Sequence, residues 1–150
     1  MELIESLRFA LRKRIVRDAG IISQLQYQME GKDAPANVDL YVRENIIQSD
    51  VTEIFQSGLN YQFLCEYNVF VNRTELPDVT GQLYRIGGLF RKEFPAGTNI
   101  ALDGWSGVNA FTENPVLFNA ISQEDDWFSL PVILNVSIIA DRGATNGNGD

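Results

Sequence analysis

Cys65 is the one thiol in a chain that contains no histidine. Without an imidazole the chain cannot assemble a Ser-His-Asp or Cys-His nucleophile, a histidine metal site, or the side chain best suited to acid–base work near neutrality. Cys65 could act as a nucleophile only beside a cation that lowers its pKa. It lies instead in an alternating apolar stretch, where it reads as a small buried hydrophobe. Glu124-Asp125-Asp126 is the dense carboxylate run. A calcium loop needs spaced oxygen ligands and a turn glycine, so this run reads as a solvated turn. Carboxylates from separate strands could flank a glycosidic bond, but nothing in the chain supports such a pair. Gly87-Gly88 lacks the flanking residues of a phosphate loop and reads as a helix packed closely on a sheet. Asn72-Arg73-Thr74 and Asn135-Val136-Ser137 match glycosylation acceptors, which carry meaning only in a secreted protein. The expectation is no catalytic residue, no cofactor and no metal.

The elements that hold these residues follow from hydrophobic period. From Leu59 to Val71 the odd positions (Leu59, Tyr61, Phe63, Cys65, Tyr67, Val69, Val71) are all apolar or aromatic, while Asn60, Gln62, Glu66 and Asn68 lie between them. Successive strand side chains point to opposite faces, so this is one long strand with a buried face. Leu64 and Phe70 interrupt its polar face. Residues 2 to about 19 form an amphipathic helix through Leu3, Ile4, Leu7, Leu11 and Ile15, with Gly20 as its C-cap. Residues 21–28 and 38–46 read as strands. Residues 47–58 read as a long connection, too long for a tight hairpin: functional, mobile, or the extended tip of a hairpin. A second helix is predicted after Thr74, its candidate N-cap, through Leu76, Val79, Leu83, Ile86, Phe90 and Phe94. Short strands follow at 98–102 and 106–111, then a hairpin of 116–122 and 127–139, with Pro131 arguing for an edge or a bulge. Residues 141–150 are polar and glycine-rich and read as a flexible tail. The fold class is α+β: an antiparallel β-sheet with two α-helices packed on one face, in the order helix-strand-strand-strand-helix-strands. Residues 1–140 form a single domain.

Apolar content of 45% over 150 residues suits one soluble domain with a sizeable core. No apolar run is long enough to span a bilayer, and Met1 to Ser6 does not read as a signal peptide. A single cysteine fits a reducing compartment. The net charge of −8 is unevenly placed. Arg8, Arg12, Lys13, Arg14 and Arg17 make the first helix basic, and between Lys92 and Arg142 there is no cation at all. That second half cannot grip phosphates. Its acids serve solubility, or they face DNA without holding it.

The run from Asn60 to Ile100, with the strand Tyr61 to Val71, the helix around Leu83-Tyr84-Arg85-Ile86, and Leu89 to Thr98, resembles the tail terminator (tail-completion) proteins of long-tailed bacteriophages. The strand Trp127 to Val132 extends the likeness, which spans roughly residues 1–140. The resemblance implies a structural virion protein, not an enzyme. It would form a ring, typically hexameric, that caps the tail tube, ends its polymerisation and joins the tail to the head-side neck. The implied partners are other copies of the chain, the tail tube protein and a neck or connector protein, with DNA passing through the lumen. Its place would be the tail–neck junction of a virion made in a bacterial cytoplasm, with no membrane partner. If residues 47–58 form a protruding arm, Ile47, Val51, Ile54 and Phe55 are candidate contacts with a neighbouring subunit or the tube; the alternative is that they cover the domain's own core. Leu64 and Phe70, on the half-polar face of the long strand, are further candidates for a contact with a neighbour. Glu113, Glu124, Asp125 and Asp126 are candidate lumen-facing acids. Another neck, connector or tail-tube ring protein stays open as an alternative, as does a small enzyme or ligand-binding domain.

Overall fold

A computed structural model of the chain describes residues 2–18, 26–29, 40–54, 58–72 and 78–147. The fold is a mostly antiparallel β-sheet with two helices. In chain order the elements are α1 (Leu3–Arg12), continued by a π-helical stretch (Lys13–Asp18), β1 (Gln26–Met29), β2 (Leu40–Ile54), β3 (Gly58–Asn72), α2 (Val79–Glu93), β4 (Asn99–Ile100), β5 (Trp105–Thr112), β6 (Leu117–Phe118), β7 (Ser122–Glu124) and β8 (Trp127–Asn146). Strand order across the sheet is β1-β2-β3-β8-β5-β4, with β6 and β7 also pairing with β8. Among the described residues the parallel pair is β1 with β2, from Gln26↔Tyr41 to Met29↔Glu44, so the sheet is not wholly antiparallel.

The period-two pattern of β3 sets the core. Phe63, Cys65, Tyr67, Val69 and Val71 are buried, together with Leu130, Val132, Leu134, Val136 and Ile138 from β8. Leu7, Leu11 and Ile15 from the first helical segment and Leu83, Ile86 and Phe90 from α2 join the same buried cluster. Arg12 reaches from α1 to Glu44 on β2, Nε 2.9 Å from Oε1. That pairing lets a carboxylate sit on the buried side of the sheet. Arg14 bonds Glu93 (2.7 Å) and the Asn99 carbonyl (3.0 Å), tying the π-helical stretch to the end of α2 and to β4. Arg12 and Arg14 of the basic helix are thus held within the chain.

Several boundaries differ from the sequence pattern. Of the three readings of residues 47–58, the extended hairpin tip fits the described residues: 47–54 and 58 are strand, and β2 and β3 stay paired as far as Ile54↔Gly58. α2 begins at Val79, capped by the Asp78 carboxylate, which accepts from the Gly81 amide at 3.1 Å. Thr74, Leu76 and Gly20 lie outside the described residues. Pro131 sits on an inner strand, and the β3 ladder runs through it unshifted. On the other flank of β8, it falls between the stretches paired with β6 and β7, at Leu117↔Ile133 and Ser122↔Ser129. β8 also continues through residues 141–146, read above as tail, and pairs there with β5 at Trp105↔Asn146 and Ser106↔Thr145.

Gly87 explains part of the glycine pair within α2. A Cβ there would lie 2.8 Å from the Phe118 ring and 3.1 Å from Leu130, so the helix packs closely on β6 and β8. At Gly88 a Cβ would meet nothing within 4 Å.

Candidate assembly surfaces

The residues that could do chemistry fall into place quickly. Cys65 is fully buried, opposite Ile46 on one side and Leu134 on the other. Burial pushes its thiol far above the ordinary value, and the Glu44 carboxylate adds to the effect. A thiol so placed holds its proton and is a core side chain. Asn60, Gln62 and Ser137 form a hydrogen-bonded group: Ser137 Oγ donates to Asn60 Oδ1 at 2.6 Å, and Gln62 Nε2 donates to Ser137 Oγ at 3.2 Å. The group holds a hydroxyl and two amides, and neither amide can take the hydroxyl proton. Among the described residues, no three of the His, Cys, Asp and Glu side chains converge to hold a metal ion.

The six apolar candidates separate into groups. Ile47 and Leu64 are direct cross-strand partners on the even-numbered face of β3. Ile47 is 46% exposed and Leu64 half-buried. Ile133 and Leu117, paired with each other across β8 and β6, lie on the same face, Leu117 52% exposed. Together they form an apolar diagonal across four strands. Val51 does not belong to it. A β-bulge between Gln48 and Asp50 inserts Ser49 and reverses the alternation, so Val51 emerges opposite Tyr61 on the odd face, 39% exposed. Ile54 closes the pairing opposite Gly58, and Phe55 lies outside the described residues.

Phe70 is engaged within its own chain. Its ring stacks on Tyr41 (4.6 Å between centroids, 4° between planes), and the Arg43 guanidinium lies 5.1 Å from it. Trp127 meets Tyr41 edge-on at 5.0 Å. Tyr41 is 3% exposed. Burial raises the pKa of its phenol; the Arg43 charge opposes that and the Glu124 carboxylate adds to it.

The four acidic candidates occupy two places. Glu124, Asp125 and Asp126 make the tight turn between β7 and β8, with Asp125 at φ 55° and Glu124 opposite Trp127. Glu113 follows β5, and its amide donates to the Asn135 carbonyl at 2.9 Å. Between Asp126 and Asn135 β8 advances roughly 30 Å, so the structure does not gather these acids into one cluster. All four are exposed.

Solved structures share this architecture. One, a protein whose name states no activity, aligns with a TM-score of 0.67 and 16% identity, over 89% of this chain and 94% of its own. That likeness shows the fold. No family model matches the sequence, and no curated protein matches it. Sequence reasoning had missed Leu117 and Ile133. For Ile133 the signal was present, because it stands out of phase with the buried alternation of Leu130, Val132, Leu134 and Val136; Leu117 is on another strand and is placed only by its pairing with Ile133.

Proposed function

We propose that the chain is a structural ring subunit that caps the tail tube of a long-tailed phage. With both helices on one face of the sheet, the other face is left for a neighbour. The observation that carries the reading is the apolar diagonal Ile47–Leu64–Ile133–Leu117, whose outer members are about half exposed on that face. Exposed apolar side chains in contiguous array mark a contact surface more often than isolated ones do. The resemblance of residues 60–100 to tail terminators supplies the partner: one ring face matches the tube end, and the other mismatches the next tube subunit and meets the neck. The acidic turn Glu124–Asp126 and Glu113 would then keep the inner wall free of cations, so that DNA slides past without being held. The protein would act in the virion at the tail–neck junction after synthesis in the bacterial cytoplasm.

Electron microscopy of phage assembled with and without the chain tests this. Overlong or uncapped tails in its absence are the expected result. Tails of normal length with intact caps would overturn the reading. Normal tails that fail to join heads would instead favour a connector.

A further inference from the structure

Two surfaces at opposite ends of the long strands are complementary in charge. The first is an open groove of about 960 Å³ where β3 begins and β8 runs on past it. Leu59, Tyr61 and Trp105 line it with apolar and aromatic surface. Its rim carries four carboxylates, Glu2, Glu5, Glu53 and Asp141, against one guanidinium, that of Arg142. Arg142 lies 3.6 Å from Glu53, so the groove remains negative overall.

The second surface is the outer face of α2. Tyr84 and Leu89 are 50% and 45% exposed there, alongside exposed Lys92 and Arg85, the latter 4.0 Å from the exposed Asp78 carboxylate. Arg91 is turned onto β6, donating to the Val116 carbonyl at 3.3 Å and lying 4.1 Å from the Phe118 ring. Gly88 lies between Tyr84 and Leu89 with open space where a side chain would be. A glycine in a helix interior costs about 1 kcal/mol relative to alanine, and nothing inside the described chain requires this one. Bare backbone at that point lets another surface approach the helix closely. α2 sits over the Tyr67 end of β3, with Phe90 5.6 Å from the Tyr67 ring, whereas Tyr61 belongs to the groove. The two surfaces are therefore roughly 20 Å apart along the strand, and one molecule cannot close the contact on itself.

We propose that the acidic groove of one copy receives the α2 face of a second copy, head-to-tail, with Arg85 and Lys92 against the groove carboxylates. Such a contact uses two different patches on each copy, the heterologous geometry that generates rings. The proposal rests on the ring reading and deepens it by naming the faces that meet.

Native mass spectrometry and light scattering on the full chain at low salt test it. One variant reverses the groove (Glu53→Lys with Asp141→Lys); the other reverses the helix (Arg85→Glu with Lys92→Glu). Each alone should raise the apparent dissociation constant at least tenfold. A one-to-one mixture should assemble again, because each groove then meets a helix of opposite sign. Gly88→Gln should block assembly without lowering the unfolding temperature, which separates a blocked contact from a failed fold. Reversed variants that assemble like the wild type would overturn the pairing while leaving a ring built on other faces. A mixture that stays monomeric, or a wild-type chain monomeric at high concentration, would also overturn it. Binding of a cationic peptide in the groove of that monomer would assign the groove to another partner. Tail morphology in the absence of the chain judges the ring reading separately.

Discussion

Two adjacent glycines in α2 have opposite roles. Gly87→Ala drives a methyl into the Phe118 ring and Leu130, and overpacking of that kind costs about 1–3 kcal/mol. Gly88→Ala adds a methyl to open space and should gain about 1 kcal/mol of helix propensity. Urea unfolding of dilute protein should move the midpoint down for the first and up for the second. Cys65 gives a pH signature. Its folded pKa is raised, so the folded chain keeps a proton that the unfolded chain loses above about pH 8.5. The stability due to the neutral thiol is complete below that pH and falls by about 1.4 kcal/mol per pH unit above it. Tyr41 is shifted the same way but adds its slope only above about pH 10. Unfolding measured between pH 8.5 and 10 should show the slope in the wild type and a flat profile in Cys65→Ala, at a lower baseline.

At the level of elements, the long strand β3 was legible because its alternation is complete where both neighbours pair with it and one face is buried. The end of β2 was not. One extra residue, Ser49, reverses the pattern, so Ile47 and Val51 look irregular although both belong to one continuous strand. Local composition could not reveal the extension of β8 either. Gly143, Ala144 and Asn146 have little strand propensity of their own, and the pairing partner of Thr145, Ser106, is distant in sequence. Truncation after Ala140 tests that extension. A dispensable tail would leave stability unchanged. Loss of the ladder to Trp105 and Ser106 should cost about 1–3 kcal/mol, with hydrogen exchange accelerated first at residues 105–107. Half of the candidate surface could be read from the chain in the same way. Leu64 was visible as an apolar break in a polar face, whereas Phe70, an equal break, is stacked on Tyr41, a partner fixed only by cross-strand register.

For the molecule as a whole, the register of the sheet dictates which change isolates assembly from folding. Removing residues 48–56 is suited to a free arm but not to this fold. It would take away the β2 partners of Leu59 to Gln62, residues that also pair with β8 from Ala140 to Ser137. The deletion should therefore destabilise the sheet and leave any loss of tail capping ambiguous. Substitution on the even face avoids that confusion. Ile47→Asp and Leu117→Asp change side chains that are about half exposed and leave every backbone pair in place. Surface changes of this type shift stability by about 0.5 kcal/mol or less. A charge placed in a desolvated contact with no partner is far more costly. The double variant should thus unfold within a few degrees of the wild type and, on the proposed capping role, fail to cap tails, so that they grow overlong. Normal tail lengths with the double variant would exclude the even face from the contact and leave the groove and α2 as the faces through which copies meet.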